Sequence, residues 1–92
     1  MSDFGMRNDG KTKKGMGFLG ALKNKNGEVM TEYSVGVNIN GKEMDVPSLV
    51  PTLSADEVDR ILNTGELTDS IVGKAVDHAR QRIKDGKSPF AD

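Results

Sequence analysis

From Val29 to Ile39 the chain alternates: Val29, Thr31, Tyr33, Val35, Val37 and Ile39 fall on one side of an extended backbone, and Glu32, Ser34, Gly36 and Asn38 fall on the other. A period of two predicts a strand buried on one face. Asn-Gly dipeptides flank this run at Asn26-Gly27 and Asn40-Gly41. Both central residues of a type I′ turn need positive φ, so each dipeptide predicts a two-residue hairpin loop. The Asn40-Gly41 turn places Ile39 opposite Lys42, Val37 opposite Met44 and Val35 opposite Val46. An equivalent turn at Asn26-Gly27 places Leu22 opposite Thr31, Gly20 opposite Tyr33 and Phe18 opposite Val35. The two registers agree on one apolar face: Phe18, Leu22, Val29, Thr31, Tyr33, Val35, Val37, Ile39, Met44 and Val46. Pro47 lacks an N–H and ends the third strand.

After Pro51 the period changes. Ser54 and Glu57 form a capping box, Leu53 and Val58 a hydrophobic staple, and Val58, Ile61 and Leu62 a helical stripe over residues 54–64. Gly65 ends that helix. A longer helix runs from about Asp69 to Asp85, capped by Thr68 or Asp69, with Ile71, Val72, Ala75, Val76, Ala79 and Ile83 on one face and Gly86 at its end. In the short tail that follows, Phe90 is the one large apolar residue and is expected to fold back onto the core. Together these elements predict an α+β domain over residues 17–92: a three-stranded antiparallel meander packed against two helices. Residues 1–16 show no periodicity and read as an irregular basic arm.

Composition limits what such a domain does. With 92 residues, 35% of them hydrophobic and 4% aromatic, the core is lean, and the absence of Cys removes both disulfides and thiolate metal sites as staples. A lean core without staples points to stabilisation within an oligomeric assembly. No apolar run reaches the length of a membrane span, and the first residues have no secretory apolar region, so the protein is expected to be made in a cytoplasm. The net charge of −1 divides unevenly: residues 1–27 hold six Lys/Arg against two Asp, and residues 28–92 hold seven Lys/Arg against twelve Asp/Glu. Lys11, Lys13 and Lys14 are candidates for contact with phosphates or an acidic neighbour, and a solvated tail is the competing reading.

Chemistry is sparse. His78 is the single histidine, and its neighbours at helical spacing are Lys74, Ala75, Gln81 and Arg82, with no carboxylate or nucleophile among them. It reads as a surface or helix-packing residue. Without Cys and without a DxDxDG loop, neither a metal nor a cofactor is expected. Gly15 to Gly20 spell G-x-G-x-x-G, but that fingerprint works only between a strand and a helix, and here strands follow it. These readings predict a non-enzymatic protein.

The strings GFLGALKNKNGEVMTEYSVGVNINGKEMDVPSLVPTLSADEVDRIL and IVGKAVDHARQRIKDGKSPFAD resemble a module of tailed bacteriophages, over roughly residues 15–92. In that family the module occurs as a small phage protein or within larger virion proteins, and Pro47, Leu49, Pro51, His78, Ser88, Pro89 and Phe90 match its pattern. The resemblance implies a virion structural protein, made in the host bacterial cytoplasm, whose partners are other subunits of the head, neck or tail, or of an ejected internal component. The residues expected to meet those partners are Lys11, Lys13, Lys14, Pro47, Leu49, Pro51 and Phe90. In this reading the VPSLVPTL passage presents an extended segment to a neighbouring sheet; the competing reading is a plain connection packed on its own core. Two alternatives are a nucleic-acid-binding or regulatory phage protein, acting through the basic arm, and an accessory module of a cell-wall-penetrating virion protein.

Overall fold

The computed structural model describes residues 15–91. In chain order it has strands β1 (Leu22–Lys23), β2 (Val29–Met30), β3 (Ser34–Ile39) and β4 (Lys42–Pro47), then helices α1 (Ala55–Thr64) and α2 (Asp69–Lys84). The class is α+β. The strands form two separate two-stranded antiparallel sheets, β1–β2 and β3–β4, in place of the expected three-stranded meander.

The β3–β4 hairpin follows its turn chemistry. Asn40 and Gly41 both have positive φ, 55° and 82°, as a type I′ turn requires. Ile39 pairs with Lys42, Val37 with Met44 and Val35 with Val46, as the alternation predicts. Ile39 and Val46 are buried against Ala75 and Ala79 of α2, with Val35, Val37, Met44, Val76 and Ile83 packed around them. Alanines four residues apart share one helix face and let the helix backbone approach the sheet closely.

The β1–β2 hairpin departs from expectation by one residue. Leu22 pairs with Met30 and Lys23 with Val29. Only Gly27 takes positive φ here, at 82°. Lys25, Asn26 and Gly27 therefore form a three-residue loop of the glycine-bulge kind. Asn24 holds it: its Oδ1 accepts from the N–H groups of Asn26 and Glu28, each at 2.9 Å. A one-residue slip exchanges faces. Met30 packs into the core, and Val29, assigned to the apolar face by alternation, is exposed.

Between the sheets the chain leaves strand geometry at Tyr33, whose φ is 44°. Thr31 and Glu32 are both buried there, so Glu32 does not lie on a solvent face as alternation predicts. The carbonyl of Glu32 accepts from the N–H groups of Ser48 at 3.1 Å and Leu49 at 3.3 Å. Tyr33 does not pair with Gly20; its hydroxyl donates to the Gly65 carbonyl at 2.8 Å, across the end of α1. A second core forms around this break from Leu49, Ile61 and Ile71, with Leu19, Leu22, Met30, Tyr33, Leu53 and Leu67 against them. Burial of each large aliphatic side chain contributes about 1.5–3 kcal/mol.

Both helices are capped as their sequences predict. Ser54 Oγ accepts from Glu57 N at 3.2 Å, and Ser54 N donates to Glu57 Oε1 at 2.9 Å, completing the capping box. Gly65 closes α1 with φ of 71°. Thr68 caps α2, its Oγ1 accepting from Ile71 N at 3.2 Å. Lys87 N bonds Arg82 O at 2.8 Å and Gly86 N bonds Ile83 O at 3.0 Å, the paired bonds of a Schellman ending.

Candidate interaction surfaces

Of the residues expected to meet partners, Lys11, Lys13 and Lys14 lie outside the described residues. Pro47 and Leu49 are fully buried, together with Ser48 and Val50. The N–H groups of Ser48, Leu49 and Val50 all bond within the fold, to the carbonyls of Glu32, Tyr33 and Ser48. The VPSLVPTL passage therefore offers a neighbouring sheet no free N–H at these three positions; its exposed portion is Pro51 and Thr52. Phe90 is half-buried. Arg82 clasps the tail that carries it: Nε donates to the Ser88 carbonyl at 2.8 Å and Nη2 to the Phe90 carbonyl at 2.7 Å.

His78 and Arg82 share one face of α2. The His78 ring meets Phe18 edge-on, with centroids 4.4 Å apart and planes 76° apart. The Arg82 guanidinium stands 5.1 Å from the centre of the Phe18 ring. His78 Nδ1 is buried and makes no hydrogen bond. Burial, and then the nearby Arg82 charge, push its pKa below the ordinary 6.5. The imidazole is thus a neutral packing group that docks the 15–20 loop on α2. Within that loop Gly17, with φ of 72°, passes so close to the backbone that a β-carbon would lie 2.1 Å from the Thr31 carbonyl oxygen. This contact is the use the structure makes of the glycine run. Among the described residues no group of three or more His, Asp or Glu is placed to hold a metal ion.

One charged cluster exceeds what the capping signature suggests. Glu57 Oε1 accepts from Lys74 Nζ at 2.5 Å and its Oε2 from Ser70 Oγ at 2.9 Å, so a single carboxylate ties the start of α1 to the first turns of α2. Lys74, the Ser54 N–H and Ser70 together hold its pKa at about 2, below the ordinary 4.5. Sequence spacing gives Ser54–Glu57 directly; Lys74 and Ser70 lie 17 and 13 residues away and only the packing of the helices brings them in.

The remaining surface is the β3–β4 hairpin on the side away from α2. Gly36, Asn38, Glu43 and Asp45 are exposed there, and with Val37 and Met44 they line a shallow depression. No family model, curated protein or solved structure matches this chain. Its surfaces must therefore be read from their own chemistry. The two hairpin strands differ in this respect: β3 reads SVGVNI, without a charge, and β4 reads KEMDVP, with three charges and a proline.

Proposed function

We propose that this chain is a non-enzymatic structural protein of a tailed-bacteriophage particle that binds other virion subunits. The resemblance over residues 15–92 supplies the setting. The observation that carries the docking role is how the polar side chains are used. Glu57 joins two helices, Arg82 clasps the tail, His78 seats the 15–20 loop, and Glu32 accepts from the Gly15 N–H at 3.1 Å. These groups suited to acid–base work serve cohesion, while among the described residues the outer face of the β3–β4 hairpin is exposed at Gly36, Asn38, Glu43 and Asp45. Placement in the virion is tested by quantitative mass spectrometry of purified particles of the encoding phage. A fixed copy number per particle is the expected result; absence from washed particles overturns the proposal.

A second reading, binding to nucleic acid, draws on the division of charge between residues 1–27 and the acidic remainder. It predicts DNA affinity that falls steeply with salt and is lost when Lys11, Lys13 and Lys14 are replaced by Ala. Affinity unchanged by the triple replacement removes it.

A further inference from the structure

The β3–β4 hairpin is a two-stranded sheet, and its two outer edges are unlike. Its two-residue turn makes Ile39–Lys42 the closing hydrogen-bonded pair, so Val37–Met44 and Val35–Val46 are hydrogen-bonded pairs as well. The alternate residues, Ser34, Gly36 and Asn38 on β3, turn their N–H and C=O groups away from β4. Among the described residues these groups have no backbone partner. On β4 the outward groups belong to Glu43, Asp45 and Pro47, and Pro47 has no N–H to offer. Charges and proline are the devices that keep an edge strand from pairing. Along β4 they are all present, and along β3 there are none.

We propose that the outer edge of β3 pairs with β3 of a second copy of this chain, antiparallel, about a twofold axis at Gly36. This goes beyond the virion reading and does not rest on it. Three features favour a second copy over a foreign strand. First, the edge is self-complementary: with Gly36 opposite Gly36, Ser34 of each copy stands opposite the other's Asn38, and every outward N–H meets an outward carbonyl. Second, the apolar face continues across the axis, because Val35 of each copy falls beside the other's Val37, and both are half-buried in the single chain. Third, the helices fit. α2 packs across both β3 and β4. Two strands span about 9.6 Å, which matches the roughly 8–10 Å spacing of packed helices, so two α2 helices lie side by side over four strands. Glu43 and Asp45 sit one strand away from the axis, which keeps like charges apart.

The test uses the full chain. Sedimentation equilibrium from about 10 μM to about 1 mM is expected to show a monomer passing to a dimer. Over the same range, amide exchange at Gly36 and Asn38, followed by NMR, is expected to slow by roughly 10-fold or more, because among the described residues those amides have no backbone partner in the monomer. Gly36→Glu places two carboxylates against each other at the axis, each beside the Asp45 carboxylate across its own hairpin. Its β-carbon meets only Asp45 Oδ1 at 3.6 Å, an ordinary contact, so the monomer fold is retained and checked by circular dichroism. This variant is expected to weaken the dimer by roughly 10-fold or more. A monomer at every concentration overturns the proposal and returns the edge to a strand from another protein. A dimer in which Gly36 and Asn38 exchange at unchanged rates, or one that Gly36→Glu leaves equally tight, overturns it as well.

Discussion

Replacement of Gly17 by Ala, set against the same change at Gly20, isolates a single close approach of the backbone. The two glycines have nearly equal φ, 72° and 78°. Both therefore carry the same left-handed penalty for an alanine, about 1 kcal/mol. They differ in what the added methyl meets. At Gly20 nothing lies within 4 Å, whereas at Gly17 the β-carbon falls 2.1 Å from the Thr31 carbonyl oxygen and 3.0 Å from its carbon. Relief requires a backbone shift of roughly 1 Å against buried Thr31, comparable to the overpacking of a core, at about 1–3 kcal/mol more. Urea unfolding is expected to give a loss of about 1 kcal/mol for Gly20→Ala and about 2–4 kcal/mol for Gly17→Ala. If the loop detaches before the domain unfolds, the His78 ring protons lose the shift imposed by Phe18. Equal losses in the two variants, with that shift intact in both, refute the account of the loop.

Three further tests address other joints of the fold. Asn40 sits at φ of 55° while Asn26 has no positive φ, so Asn40→Ala is expected to cost about 1 kcal/mol and Asn26→Ala a few tenths; equal losses in urea would mean the two turns are alike after all. His78 has a folded pKa below its ordinary 6.5, so the neutral ring's contribution is complete above pH 6.5 and is lost as pH falls through the folded value; His78→Gln should remove that part of the stability–pH profile, and a profile it leaves unchanged contradicts the packing role. Glu57, lowered to about 2 from 4.5, contributes stability that is present above pH 4.5 and is lost as pH falls towards 2; the carboxyl carbon should titrate near 2 by NMR and nearer 4.5 in Lys74→Met, and a wild-type midpoint already near 4.5 excludes the tie to Lys74.

Local chemistry was legible wherever one short segment decides the outcome. The capping box at Ser54, the Thr68 cap, the glycine ends at Gly65 and Gly86 and the Asn40-Gly41 hairpin each depend on residues within about one turn. Asn26-Gly27 shows the limit. The same dipeptide supports a two-residue loop with both residues left-handed, or a three-residue loop with glycine alone left-handed. Asn24 decides between them by bonding two backbone N–H groups of the loop. Once that register moves by one, Met30 replaces Val29 inside, and the strand cannot continue through Thr31 and Glu32 in the expected alternation. Tyr33 then turns into a left-handed conformation that alternation does not anticipate, and its hydroxyl caps the end of α1 32 residues away.

The surface was less legible for the same reason. Pro47 and Leu49 carry an extended signature, but an extended backbone satisfies a core as readily as a partner, and the carbonyl of Glu32 takes the N–H groups that a neighbouring strand would need. Among the described residues β3 leaves a regular row of backbone groups without a strand partner, and its signal was present in the sequence as a contrast between neighbours. SVGVNI carries neither charge nor proline, while KEMDVP carries both. Read as one alternating run continuous with residues 29–33, β3 is central and needs no protected edge. Its edge becomes visible only when Tyr33 ends the preceding pairing and leaves a sheet of two strands, which is too few to be stable without a covering layer. α2 covers one face of that sheet, and among the described residues no further strand pairs along the β3 edge.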